Sequence, residues 1–328
     1  MFNALILRQQ DKQTLASVEP IDETQLPEGE VLVAVDYSSL NYKDALAITG
    51  KGKIVRQFPM VPGIDFTGKV IQSSDLRYQT GQQVVLTGWG VGENHWGGLA
   101  EKAQVKADWL VPLHEDLTAK ESMQLGTAGL TAALCVQALQ QAGITPEQGE
   151  IIVTGASGGV GSVAVALLHA LGYEVAAVTG RAENRDWLTA LGASRIVSRE
   201  EMLSPNRPLD KQQWAGAVDT VGGHVLAKVL SQINYNGAVA ACGLAGGFEL
   251  PTTVMPFILR GVNLLGVDSV NCPFEQRQKA WHLLATGLPH SYYQNACQTI
   301  NLEQAASYAA QLLDGKVTGR VLVDITAN

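Results

Sequence analysis

The chain has 328 residues, 46% of them apolar and 16% charged, with a formal net charge of -8. The charged share lies well below the usual ~25%, which excludes a disordered chain, and the length accommodates two domains. An acidic balance spread along the chain argues against nucleic-acid binding, and no apolar run or small-residue cleavage site marks a membrane span or signal peptide, so a cytoplasmic protein is expected.

In chain order, the first hundred residues are rich in β-branched runs, Gly and Pro. Val31–Tyr37 reads as a strand after the turn Pro27-Glu28-Gly29, and Gly68–Gln72 and Gln83–Thr87 as further short strands. Close spacing with turn signals predicts a small barrel-like unit. Leu117–Ala142 reads as helix, broken around Gly126 and Gly129. Then comes a βαβ rhythm. Strands are predicted at Ile151–Thr154, Tyr173–Val178, Arg195–Val197, Gly216–Asp219 and Ala238–Cys242. Helices are predicted at Gly161–Leu171, closed by Gly172, around Asn184–Leu191, and at Gly223–Gln232. This rhythm implies a parallel sheet with helices on both faces. In the tail, Pro273–Ala285 and Leu302–Leu313 read as helices, the second N-capped by Asn301, and Arg320–Ile325 as a closing strand. The nucleotide domain, 123–269, is thus inserted between two parts of a catalytic domain, 1–122 and 270–328.

The four cysteines, Cys135, Cys242, Cys272 and Cys297, lack the close pairs of a structural zinc site. Each reads as a small buried hydrophobe.

The strongest local signal is Ile151 to Gly161, a buried strand, the loop Gly155-Ala156-Ser157-Gly158-Gly159-Val160-Gly161 and then a helix. Its glycines let backbone amides approach a pyrophosphate, and the helix N-terminus adds partial positive charge. The spacing G-x-x-G-x-x-G departs from the usual G-x-G-x-x-G, and a glycine-rich structural turn is the alternative. An NAD enzyme ends its next strand with Asp or Glu, but here the strand ends Val178-Thr179-Gly180-Arg181. Arg181 suits a 2′-phosphate through its planar fork, with Thr179 adding a hydroxyl. Arg199 is a candidate second clamp; a solvated surface residue is the alternative for both arginines. Thr127, in Leu125–Gly129, is a candidate for the nicotinamide. Cys242-Gly243-Leu244 falls at the same carboxyl edge, as either a loop over that ring or a plain turn.

With these motifs the chain resembles the zinc-free, quinone-oxidoreductase-like branch of the medium-chain dehydrogenase/reductase superfamily, near the bacterial acryloyl-CoA reductase (NADPH) group. The resemblance spans essentially the whole chain. It rests on Leu40–Asp44, Pro62–Gly68, Gly88–Gly98, the cofactor loop, Thr179–Arg181 and Pro256–Val262. It implies an α/β protein, with a GroES-like β-rich catalytic domain plus a doubly wound Rossmann domain holding NADPH. The implied cofactor contacts are Tyr42, Ser157, Gly158, Gly159, Val160, Thr179, Gly180, Arg181, Arg199, Leu244, Ile258 and Ser269. Zinc-dependent cousins carry Gly-His-Glu where this chain has Gly63-Ile64-Asp65, and a lobe of four close cysteines that is missing here. No metal is therefore expected. The resemblance also implies a homodimer through Rossmann edge strands, with Val262–Val267 the apolar candidate.

For mechanism, Asn41, Tyr42 and Asp44 are placed at the reaction centre. Asn41 offers an amide donor, and Tyr42 a phenol as proton donor or cofactor clamp. Asp44 orients its neighbours or is simply a helix-start carboxylate. Lys43, Lys51, Lys53 and Arg56 form a local basic run that suits the phosphates of coenzyme A, or else a solvated loop. The expected reaction is reduction of acryloyl-CoA, or a similarly small enoyl-CoA, to propanoyl-CoA. A quinone is the alternative acceptor, and a cofactor-binding structural protein the alternative class.

Overall fold

A computed structural model describes residues 1–205 and 207–327. Its strands are β1 (Phe2–Gln10), β2 (Gln13–Ile21), β3 (Val31–Ser39), β4 (Asp65–Ser73), β5 (Gln83–Thr87), β6 (Lys102–Val105), β7 (Leu110–Pro112), β8 (Ile151–Val153), β9 (Val175–Thr179), β10 (Arg195–Ser198), β11 (Trp214–Asp219), β12 (Ile233–Ala241), β13 (Asn263–Gly266), β14 (Cys297–Asn301) and β15 (Arg320–Asp324). The helices are α1 (Tyr42–Thr49), α2 (Ala119–Gln141), α3 (Gly159–Ala170), α4 (Arg185–Ala190), α5 (Arg199–Leu203), α6 (Gly223–Gln232), α7 (Met255–Arg260), α8 (Phe274–Gly287), α9 (His290–Asn295) and α10 (Ala305–Leu313). Among the described residues no helix is long and apolar enough to cross a membrane.

The chain divides into two compact units. The first comprises Met1–Thr127, Ser269–Gln278 and the segment from Tyr293 onward. Its main sheet runs β14-β15-β3-β4-β5-β7, with β6 also paired to β3. The apolar alternation of β3 points Val31, Val33 and Val35 into a core with Phe66, Leu86 and Val323. Strands β1 and β2 form a separate antiparallel ribbon in which Gln10 pairs with Gln13. The two residues between them, Asp11 and Lys12, both take positive φ, 49° and 65°. That geometry matches the twist of a two-residue hairpin, though glycine or asparagine usually supplies it.

Helix α1 starts at Tyr42 and ends at Gly50, whose φ of 67° is the left-handed C-terminal turn that glycine adopts without a Cβ penalty. Helix α2 is broken at Gly126, with φ 53° and ψ −150°. The expected break at Gly126 is present, whereas Gly129 continues the helix.

The second unit comprises Ala128–Asp268 and Lys279–Tyr292. The stretch Lys279–Tyr292 was drawn from sequence with the catalytic part but packs with this unit. Trp281 and Leu284 are buried, and a Cβ at Gly287 would stand 3.0 Å from Leu167 Cδ1 on α3. The sheet order is β10-β9-β8-β11-β12-β13, and every pair is parallel. Strands β8 and β9 are buried along their whole length, as a sheet covered on both faces requires. The order reverses between β8 and β11, which is the switch point where such sheets bind ligands at their carboxyl ends.

Candidate active site

In the first unit, a buried polar cluster surrounds the start of α1. Asn41 precedes the helix, and its backbone N–H donates to Asp44 Oδ2 at 2.9 Å. Asp44 Oδ1 accepts from the amides of Gly63 and Ile64, each at 3.0 Å. Asp44 therefore ties α1 to the loop before β4. Its carboxyl is pushed up to about 7 by burial, reinforced by the charge of Asp65, while these N–H donors oppose the shift.

Asp65 opens β4 and is fully buried. Its Oδ1 accepts from Ser39 N at 3.1 Å and Ser39 Oγ at 2.7 Å. Its Oδ2 accepts from Asn41 Nδ2 at 2.9 Å and from the Thr127 amide at 2.7 Å. Arg320, at the start of β15, donates to Gln124 O at 3.1 Å, Asn41 Oδ1 at 3.1 Å and Ser39 Oγ at 2.7 Å. Both ends of the Asn41 amide are thus engaged within the protein. Tyr42, by contrast, is 50% exposed and makes no side-chain hydrogen bond.

The Trp89–Gly98 loop is held from the C-terminal side. Trp89 itself has φ 59°. The buried Arg277 guanidinium sits 4.9 Å from the Trp89 ring centre. It donates to Thr87 O at 2.6 Å and Thr87 Oγ1 at 2.7 Å, and to the carbonyls of Ser269, Val270 and Cys272, each at 3.3 Å. The Ser269 backbone is therefore fixed by an arginine. In the basic run, Lys43 is committed to Glu93 at 2.7 Å, while Lys51, Lys53 and Arg56 are exposed.

In the second unit, the glycine loop joins β8 to α3, as expected. Gly155 has φ 58°, and a Cβ there would meet Thr220 Oγ1 at 2.3 Å. Gly161 is equally constrained, since a Cβ would stand 2.3 Å from Gly155 O. Gly158 caps α3, whose first-turn amides at Gly159 to Gly161 have no acceptor inside the helix. The loop is pinned across the switch point by Asp219 at the end of β11. Asp219 Oδ1 accepts from Thr154 Oγ1 at 2.7 Å, and Oδ2 from the Gly222 amide at 2.8 Å. Burial raises the Asp219 carboxyl above its ordinary range, against those donors.

Beside the loop, Arg181 Nη2 donates to Ser157 Oγ at 3.1 Å, and Ser157 Oγ lies 3.3 Å from Thr179 Oγ1. Arg199 lies across the backbone at Gly180, where a Cβ would stand 2.7 Å from its Cζ. Burial lowers the basicity of Arg181; Glu183 opposes this and the Arg199 charge adds to it. Two cations held this close favour an anion between them. Serine, threonine, two arginines and first-turn amides are a donor set that fits a dinucleotide carrying a 2′-phosphate.

Ser157, Gly158, Gly159, Val160, Thr179, Gly180, Arg181 and Arg199 are thus brought together. Leu244 adjoins them through the Thr220–Gly223 turn: a Cβ at Gly222 would lie 3.3 Å from Leu244 Cα. Ile258 is 71% exposed on α7, a helix anchored by Arg260 to the carbonyls of Ser231 at 2.9 Å and Asp210 at 2.6 Å. Asn41, Tyr42, Asp44, Thr127 and Ser269 belong to the first unit. Sequence reasoning gave no role to Ser39, Arg320, Thr154 or Asp219. A buried arginine opening an otherwise apolar strand was the one signal available for Arg320.

At Gly63-Ile64-Asp65 the residues do not fit a metal. Ile64 offers no side-chain donor atom, and both Asp65 oxygens already accept two hydrogen bonds. Among the described residues no other His, Cys, Asp or Glu group could hold one.

Family models match this architecture in two places: "Alcohol dehydrogenase GroES-like domain" over residues 27–115 and "Zinc-binding dehydrogenase" over residues 159–286. The chain is 62% identical to "Probable acrylyl-CoA reductase AcuI" of Escherichia coli (strain K12), over 99% of this chain and 100% of the relative. It is 54% identical to "Acrylyl-CoA reductase AcuI" of Ruegeria pomeroyi, over 100% of both chains. The crystal structure of the yhdH oxidoreductase from Salmonella enterica in complex with NADP superimposes with a TM-score of 0.98 at 62% identity, covering 99% of this chain and 100% of that one. The chain belongs to the medium-chain dehydrogenase/reductase superfamily, in its quinone-oxidoreductase-like branch.

Proposed function

We propose that the chain catalyses NADPH-dependent reduction of the carbon–carbon double bond of acryloyl-CoA, or a similarly small enoyl-CoA, to propanoyl-CoA without zinc. The observation that carries this reading is the full-length likeness, 62% and 54%, to two proteins named for that reaction. The chain's own chemistry supports the cofactor half, because Thr179-Gly180-Arg181 offers donors and positive charge where an NAD enzyme needs a carboxylate.

When bound, the reduced dinucleotide supplies a hydride. The chain's residues do the rest. The first-turn amides of α3 and Ser157 would hold the dinucleotide's pyrophosphate. Arg181, Arg199 and Thr179 would hold the 2′-phosphate and Leu244 and Ile258 would border the cofactor, while Thr127 and Ser269 are the first unit's own candidate contacts. The reaction adds hydride at Cβ and a proton at Cα of the acyl group, while negative charge builds on the thioester oxygen. Hydrogen-bond donors aimed at that oxygen lower the barrier. Tyr42, exposed and without an internal partner, is the phenol free to donate or to clamp the cofactor. Asn41 acts as scaffold rather than donor, because its amide is engaged at both ends. Asp44 sets the start of α1. Lys51, Lys53 and Arg56 are free to meet coenzyme A phosphates; Lys43 is not.

A second copy completes the assembly by pairing at β13, the end strand of the parallel sheet, beside the exposed Leu259 and Leu264. Sedimentation of the pure protein tests this, with a monomer at micromolar concentration contradicting it. The test of function is NADPH oxidation with acryloyl-CoA and a simple quinone in parallel, and NADH as control donor. A higher kcat/KM with acryloyl-CoA supports the reading; turnover of the quinone alone replaces it with the alternative.

A further inference from the structure

We infer that Asp65 and Arg320 are positioning residues that couple the start of α1 to the break in α2, so that Tyr42 and Thr127 are held in one fixed frame. This deepens the function proposed above and rests on it.

A break at Gly126 leaves backbone groups without their helical partners, and a buried orphan of this kind is costly. Here two such groups go to the side chains of Asp65 and Arg320. Asp65 Oδ2 takes the Thr127 amide at 2.7 Å, and Arg320 Nε serves Gln124 O at 3.1 Å. The same two side chains grip the other segment. Asp65 Oδ2 also accepts from Asn41 Nδ2 at 2.9 Å, and Arg320 Nη1 donates to Asn41 Oδ1 at 3.1 Å. One carboxylate oxygen therefore holds both Thr127 and Asn41, the residue immediately before Tyr42.

Ser39 closes the circuit. Its hydroxyl donates to Asp65 Oδ1 and accepts from Arg320 Nη2, each at 2.7 Å. The cluster has no room to spare, since a Cβ at Gly126 would stand 2.6 Å from Asp65 Oδ2, 2.7 Å from Ser39 Oγ and 2.8 Å from Arg320 Nη2. Buried charges are poor sources of stability compared with apolar residues of the same volume, so such a network points to a demand for geometry. The Arg320 fork meets that demand: its three nitrogens reach three acceptors, two on the Ser39–Asn41 segment and one at the break in α2.

The experiment uses the full chain carrying Arg320→Lys, which keeps the charge but loses the fork, and Ser39→Ala, which keeps both charges but removes the link. Kinetics, NADPH affinity and hydrogen exchange of residues 41–49 and 124–130 are measured in both, well below their melting temperatures. We expect kcat to fall about 10- to 100-fold in Arg320→Lys, with the NADPH Kd within about threefold of the parent. Exchange should accelerate by about tenfold or more in both segments together. If Arg320→Lys does not fold, Ser39→Ala decides by the same criteria, with a smaller loss of kcat. Unchanged kcat in a folded variant, or faster exchange in one segment without the other, overturns the coupling. If the parent reduces neither acceptor, the function reading fails while the exchange result still decides the coupling.

Discussion

Gly180→Ala is a small change with a specific expected effect. Gly180 has no positive φ, so alanine suits its backbone. The added Cβ would stand 2.7 Å from Arg199 Cζ and Nε and 3.0 Å from Nη2, well inside ordinary contact, so the guanidinium must leave its place. Arg199 is exposed and flexible, and stability should change by less than about 0.5 kcal/mol. Affinity is another matter. A charge-assisted hydrogen bond contributes about 1.5–3 kcal/mol, and a displaced Arg199 retains part of it. A loss of about 1–2 kcal/mol corresponds to roughly 5- to 30-fold weaker NADPH binding, at about 1.4 kcal/mol per tenfold. NADH has no 2′-phosphate and should bind as before. Titrating parent and variant with both dinucleotides reads the two affinities directly. Adding Arg199→Met completes a double-mutant cycle, in which Gly180→Ala should cost nothing further once Arg199 is gone. Equal weakening of NADH and NADPH, or additive losses in the cycle, would refute the argument.

Two further outcomes are expected. Asp44 keeps its proton up to about 7 in the folded chain, whereas the ordinary value is 3.8. As pH rises between those values the unfolded chain has lost the proton and the folded chain has not, so stability falls by up to about 1.4 kcal/mol per unit and then levels off. Asp44→Asn should remove that slope from urea midpoints measured between pH 4 and 8, and parallel profiles would contradict the assignment. Arg277→Met leaves the carbonyls of Thr87, Ser269, Val270 and Cys272 without this donor and should cost about 3 kcal/mol or more. Thermal melts and Trp89 fluorescence check it, and a loss under about 1 kcal/mol would be inconsistent with that role.

The second unit was largely legible because its signals are local. A buried strand, a glycine loop and an apolar helix follow one another within Ile151–Ala170, and α6 and β10 fall where the pattern places them. Strand β12 is longer than the pattern predicts: it starts at Ile233, ahead of the expected Ala238, and runs through Asn236-Gly237, a turn-type pair whose Asn takes a φ of 57° inside the strand. Strands β1 and β2 went unread because Asp11-Lys12 lacks the usual turn residues and β2 is only half buried. The cluster around Asp65 was not legible because it is assembled by register. Antiparallel pairing sets Leu322 against Ser39 and Ser38 against Phe66, which brings Arg320, Ser39 and Asp65 together from distant sequence. Nothing local separates Gly126 from Gly129 either; the Asp65 carboxylate waiting for the Thr127 amide does.

The most direct test of the proposed reaction is isotopic. NADPH deuterated at the transferable position of its nicotinamide is oxidised by the protein with acryloyl-CoA, and the product is read by mass spectrometry and NMR. The account predicts propanoyl-CoA formed in step with NADPH consumed, carrying a single deuterium on Cβ. Product without deuterium at Cβ, or NADPH consumed with no propanoyl-CoA, would contradict it.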